Sequence, residues 1–267
     1  MDIRPIGVFD SGVGGLTVAK QVIRELPNEN IIYFGDTARV PYGNKSKDTV
    51  TKFSKQIVRF LLTKNVKSVI IGCNTVSSNS LEELKESFDI PFFDVVEAGV
   101  EEAIKITKNK KVGIIGTTAT IRSNAYKKSI YKNDNKIEVF SKACPLFVPL
   151  VEEGWFDSEV TRLTAKEYLS ELICKDVDSI VLGCTHYPFL KKCIGEIIGE
   201  DIRLIDPART TALKVKKFLE ENNILNELNH KPEYVFYLSD TTDTFSMICK
   251  EALKKIYIPE KIDIEKY

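Results

Sequence analysis

Short apolar runs alternate along this chain with segments whose apolar positions recur every three or four residues. Ile6-Gly7-Val8-Phe9, Ile31-Ile32-Tyr33-Phe34 and the continuous run Ser68-Val69-Ile70-Ile71 predict strands, the last buried on both faces. Between them, residues 16–26, 48–62 and 81–88 carry helical spacing, and 91–93 reads as extended before a helix over 99–107. The pattern then restarts. Strands are predicted at 112–115, 137–140, 179–182, 202–205 and 234–238, and helices at 160–173, 189–198, 211–221 and 244–254. Strands alternating with helices predict an α/β fold with mainly parallel sheets.

The restart is a repeat. Val66-Lys67-Ser68-Val69-Ile70-Ile71-Gly72-Cys73-Asn74-Thr75 aligns without gaps on Val177-Asp178-Ser179-Ile180-Val181-Leu182-Gly183-Cys184-Thr185-His186. Upstream, residues 6–11 parallel 112–117; downstream, 91–94 parallel 202–206. Chance similarity between buried strands explains the apolar letters but not the Gly-Cys that follows both. The expectation is two similar α/β domains related by internal duplication.

Composition narrows the function. The 267 residues include 38 Lys and Arg against 38 Asp and Glu, so no global field holds the chain on nucleic acid or an anionic membrane. No apolar run approaches the roughly 20 residues that cross a bilayer, and Met1-Asp2-Ile3-Arg4-Pro5 has no leader pattern. A cytoplasmic protein with reduced thiols is expected, its six cysteines forming no disulfide framework. With two histidines and no Cys-x-x-Cys, no metal site is expected either.

Parallel sheets bind ligands at the carboxyl ends of their strands, where Cys73 and Cys184 both fall. There a thiol is expected to feel the positive end of the next helix, which lowers its pKa. Thr75 and Thr185 either cap those helices or offer hydroxyls to a ligand. Two thiols at equivalent places of a repeat suit a reaction that needs an acid on one face of a carbon and a base on the other. A redox pair would sit closer in sequence. The glycine-rich turn Asp10-Ser11-Gly12-Val13-Gly14-Gly15 lacks both the dinucleotide and the P-loop pattern, yet its free N–H groups suit a carboxylate; a helix-capping role for Asp10 and Ser11 stays open. The irregular stretch Gly35 to Gly43, containing Pro41 and Tyr42, lies where binding groups collect or is a simple turn. Residues 148–154 offer Glu152 to assist a thiol, and His186 stands two residues after Cys184.

Taken together, Asp10-Ser11-Gly12-Val13-Gly14-Gly15-Leu16, Pro41-Tyr42-Gly43, Gly72-Cys73-Asn74-Thr75 and Gly183-Cys184-Thr185-His186-Tyr187-Pro188 resemble the glutamate racemase family, in register over nearly the whole chain. That resemblance implies cofactor-independent interconversion of L- and D-glutamate, supplying D-glutamate for peptidoglycan. It implies that Cys73 takes the α-proton of D-glutamate and Cys184 that of L-glutamate, with Asp10, Glu152 and His186 as auxiliary acid–base groups. Asp10, Ser11, Pro41, Tyr42, Gly43, Asn74, Thr75, Thr117, Thr118, Thr120, Thr185 and His186 are implied to hold the substrate. It further implies a homodimer and two domains, 1–97 plus 208–267 and 98–207, with the active site in the cleft between them. A related two-thiol racemase acting on aspartate is the nearest rival.

Overall fold

A computed structural model describes residues 2–228 and 231–267; His230 lies outside the described residues. The first half runs β1 (Ile6–Asp10), α1 (Leu16–Glu25), β2 (Ile31–Gly35), α2 (Lys47–Thr63), β3 (Ser68–Ile71), α3 (Asn74–Ser87), β4 (Phe92–Asp94) and α4 (Val95–Ile106). The second runs β5 (Lys111–Gly116), α5 (Thr118–Ser123), α6 (Ala125–Asn133), β6 (Glu138–Ala143), α7 (Phe147–Glu152), α8 (Glu159–Cys174), β7 (Ser179–Gly183), α9 (Lys191–Ile198), β8 (Arg203–Ile205) and α10 (Pro207–Glu221). The strand β9 (Tyr234–Leu238), the helix α11 (Asp243–Leu253) and the short strand β10 (Glu260–Lys261) close the chain.

Two sheets result, and every strand pairing in them is parallel. The first has the order β10-β9-β2-β1-β3-β4 and the second β6-β5-β7-β8. Four strands of the first, β2-β1-β3-β4, thus repeat the wiring of the second. Register repeats as well: Ile6 pairs with Ser68 as Val112 pairs with Ser179, positions that the sequence repeat equates. Even the exits match. Asp94 caps α4 by accepting from the N–H groups of Val96 and Glu97, and Asp206 caps α10 by accepting from that of Ala208. A duplication accounts for all three correspondences at once.

The strands lie where the apolar runs predict, within one to three residues. Helices are less well predicted. The α3 helix starts at Asn74 rather than Leu81, because its first two turns bury small polar residues (Asn74, Thr75, Ser77, Ser80) that leave no apolar stripe to read. The helices α5, α6 and α7 and the strand β10 are absent from the expected set. In α5 the helix is started by a polar contact, the Thr117 hydroxyl accepting from the Thr120 N–H, and only Thr120 is buried. A left-handed Asn124 (φ 56°) then separates α5 from α6.

The residue preceding each cysteine strand acts as a clasp at the far end of its sheet. The fully buried Lys67 ammonium lies 2.7 Å from Glu29 and donates to the backbone carbonyls of Asp2 and Ile224 at 2.8 Å each. Its counterpart Asp178 accepts from the Thr107 hydroxyl and the Asn109 N–H. Breaking a buried pair strands the remaining charge, so Glu29→Ala is expected to lower unfolding stability by about 3–5 kcal/mol. Urea denaturation checks this, and a loss below about 1 kcal/mol would contradict it. The double replacement Lys67→Met with Glu29→Leu is expected to cost less than Glu29→Ala alone.

Candidate active site

The residues that follow β1, β2 and β3 and those that follow β5, β6 and β7 line one cavity of about 320 Å³. That is the lower end of the range for small-molecule sites. Cys73 and Cys184 both reach it, with 5% and 6% of their surface exposed. Ser11, Pro41, Tyr42, Gly43, Asn74, Thr75, Thr117, Thr118, Glu152, Thr185 and His186 share its wall. Val40, Val148 and Pro149, from stretches singled out above for other residues, also line it, as do Asn44 and Pro145, to which no periodicity or motif pointed. Asp10 and Thr120 do not line it; they stand behind the residues that do.

The two thiols have unlike surroundings. Cys73 caps α3 and donates toward the Ser11 hydroxyl at 3.4 Å. Burial pushes its thiol up to about 12, and the negative charge of Asp10 adds to this. The expectation that the helix end lowers this pKa is therefore wrong here. The Ser11 hydroxyl and the Val76 N–H do act in that direction, but desolvation of a thiolate beside a buried carboxylate outweighs them. Cys184 has no helix directly after it; Tyr187–Leu190 form a single 3₁₀ turn and α9 begins only at Lys191. Its partner is a side chain instead, the Nδ1 of His186 at 3.8 Å.

His186 is the middle of a relay. Its Nε2 lies 3.1 Å from Oε1 of Glu152, the last residue of α7. Burial alone would lower the imidazole pKa, but the bonds to Cys184 and Glu152 outweigh it and raise the group to about 10. The ring is then a cation at neutral pH, held between a carboxylate and a sulfur. Asp10, fully buried, accepts from the Gly12 N–H (3.1 Å) and from the Thr185 hydroxyl (3.2 Å). Burial raises its pKa, against the pull of His186 and these donors. It also accepts from the N–H of Gly15, the cap residue of α1, so it meets the start of that helix without occupying the cap position itself.

Contacts of this kind join the two sheets around the cavity. The Thr75 hydroxyl meets that of Thr117 at 3.0 Å and that of Thr120 at 3.5 Å, so it faces across the cleft and caps nothing. Tyr126 donates to Asn74 at 2.6 Å, and the Thr17 hydroxyl donates to the Thr185 carbonyl at 3.1 Å. Gly14 is required by this closeness: a Cβ there would lie 2.5 Å from both His186 Nδ1 and Thr185 Oγ1. Among the described residues no three His, Cys, Asp or Glu side chains converge as metal ligands, and no helix is long and apolar enough to cross a membrane.

The chain as a whole is similar to known proteins. The sequence profile of the Asp/Glu/Hydantoin racemases matches residues 6–215. The chain belongs to the Asp/Glu/hydantoin racemase family. Within that family, a glutamate racemase from Geobacter metallireducens is 49% identical over 92% of this chain and 91% of its own. One from Thermoanaerobacter sp. is 47% identical over the full length of both. The crystal structure of glutamate racemase from Francisella tularensis in complex with D-glutamate superposes with a TM-score of 0.94, at 43% identity and full coverage of both chains. The aspartate racemase of Picrophilus torridus, 15% identical with a TM-score of 0.57 over 84% of this chain and all of its own, shares the fold alone.

Proposed function

We propose that this racemase interconverts L- and D-glutamate without a cofactor, using Cys73 and Cys184 as its two proton-transfer groups. The observation that carries the reading is the pair of thiols at equivalent strand ends, both opening on one amino-acid-sized cavity. Full-length similarity to glutamate racemases supports glutamate as the substrate.

With L-glutamate bound, the Cys184 thiolate removes the α-proton while Cys73, as the thiol, delivers its own proton to the opposite face. The product is D-glutamate, with a thiolate now on Cys73 and a thiol on Cys184. The reverse direction exchanges the roles. Carbon acidity is the difficulty, since an α-proton is many units weaker than a thiol of reference pKa about 8.5. Preorganised donors at the α-carboxylate in a dry cleft reduce that gap. Ser11, Asn74, Thr75, Thr117, Thr118 and Thr185 supply hydroxyls and an amide there, with Tyr42 and Gly43 closing one side. Thr120 orients Thr117 from behind. His186, oriented by Glu152, stabilises negative charge on Cys184; Asp10 favours the protonated form of Cys73.

The same reading extends to the cell. The D-glutamate would supply peptidoglycan synthesis in the cytoplasm, the active form is a homodimer, and the domain limits are 1–97 plus 208–267 and 98–207. A racemisation assay followed by circular dichroism across a panel of L-amino acids tests the substrate. Glutamate is expected to turn over at least about 100-fold faster than aspartate, one methylene shorter and unable to reach both ends of the site. Turnover of aspartate but not glutamate would overturn the assignment.

A further inference from the structure

The wall of the cavity formed by residues 40–44 rests on a polar chain that leads away from the substrate. Asp36, at the end of β2, is fully buried and accepts the Tyr42 hydroxyl, the Ser239 hydroxyl at 2.7 Å and the Arg39 Nε at 2.7 Å. Arg39 lies 4.0 Å above the Phe53 ring, which in turn packs on Tyr42 at 5.6 Å between centroids. The Arg39 Nη1 continues to Gln56 at 2.6 Å and to Glu265 at 2.9 Å, and Gln56 also donates to Glu265. Glu265 sits in the last turn of the chain, Ile264–Lys266, which buries Ile264 in the first sheet's core. None of Asp36, Arg39, Gln56 and Glu265 lines the cavity.

We infer that Asp36 and Glu265 are positioning residues for the substrate: the C-terminal turn, through Arg39 and Asp36, holds Tyr42 and Gly43 in the cavity wall. This rests on the glutamate reading above. Three observations carry it. A buried carboxylate needs its charge matched, and Arg39 is the cation that meets Asp36. Arg39 is 11% exposed at its side chain and is gripped at its outer end by Glu265, so its place depends on the turn. The Gly43 backbone stands so near Thr117 that a Cβ there would lie 2.8 Å from the Thr117 Cβ. A shift of this loop therefore changes the opposite wall as well.

The chain acts on the geometry of binding and not on either thiol, so its loss is read in KM. Glu265 is 61% exposed at its side chain, and its replacement leaves the buried core untouched. Steady-state kinetics on L- and D-glutamate should be compared for wild type, Glu265→Ala, Glu265→Gln, Tyr42→Phe and the double variant Glu265→Ala/Tyr42→Phe. Glu265→Ala is expected to raise KM about threefold with kcat within twofold, the size of one ion-pair contact. Glu265→Gln keeps an acceptor for Arg39 and is expected to restore most of that loss. The double variant is expected to show a KM no higher than Tyr42→Phe alone, because both changes cut one chain. Because enantiomers have equal free energy, kcat/KM falls equally in both directions. An unchanged KM in Glu265→Ala, an equal loss in kcat, or fully multiplicative effects in the double variant would each overturn the inference. Failure of the wild type to racemise glutamate would instead overturn the reading beneath it.

Discussion

Cys73→Ser and Cys184→Ser are each expected to lose racemisation by on the order of 10³-fold or more, while differing in what they still exchange. General acid–base groups contribute 10²–10⁴-fold in typical enzymes, and in the proposed mechanism each thiol is the sole group on its face of the α-carbon. In deuterated water, proton NMR should show α-proton exchange from one enantiomer only in each variant. Cys73→Ser keeps Cys184 and its His186 partner, so it should wash deuterium into L-glutamate and spare D-glutamate. Cys184→Ser should do the reverse, more slowly, because its remaining thiol is held protonated up to about 12. Identical behaviour of both variants toward both enantiomers would remove the two-base mechanism.

His186→Asn is the second large effect. The imidazole is raised to about 10 in the folded chain, so it is a cation over the whole physiological range and loses its charge only as pH climbs through that value. Its reference pKa is about 6.5. The sign follows: the stability it confers is fully present below about 6.5 and is lost as pH rises through about 10. Two measurements are expected to move. First, alkylation of Cys184 by iodoacetamide at neutral pH, followed by peptide mass spectrometry, should slow by about tenfold or more in His186→Asn while Cys73 is unaffected. Second, kcat/KM should fall about 10²-fold. A Cys184 that alkylates at the wild-type rate would show that the ring does not support the thiolate. Glu152→Gln should give a smaller version of both changes, since it acts on Cys184 only through His186.

Much of this was present in the order of residues. Strands buried on both faces announce themselves as continuous apolar runs, and the Gly-Cys after β3 and β7 marks the same point of a duplicated unit whichever way the units pack. The motifs at residues 10–16, 41–43, 72–75 and 183–188 hold just over half of the residues that line the cavity, and all but the second lie directly at a strand end. Much of what the sequence did not reveal depends on groups far apart in the chain. The polar first turns of α3 and the helices α5 and α6 bury hydroxyls against a partner, and an apolar period cannot record that.

By itself, then, the sequence determined the α/β class, the internal repeat and the two thiols, because strand burial and local motifs are short-range properties of the chain. Only the tertiary structure decided how those thiols differ. Cys73 and Cys184 occupy equivalent positions, and by position alone both should be lowered by a helix end. Folding instead sets Cys73 against the buried Asp10, and Cys184 against a His186 that also bonds Glu152. The reason is electrostatic: burial and the nearest charged group outweigh the helix terminus at Cys73, and Cys184 has no helix directly after it.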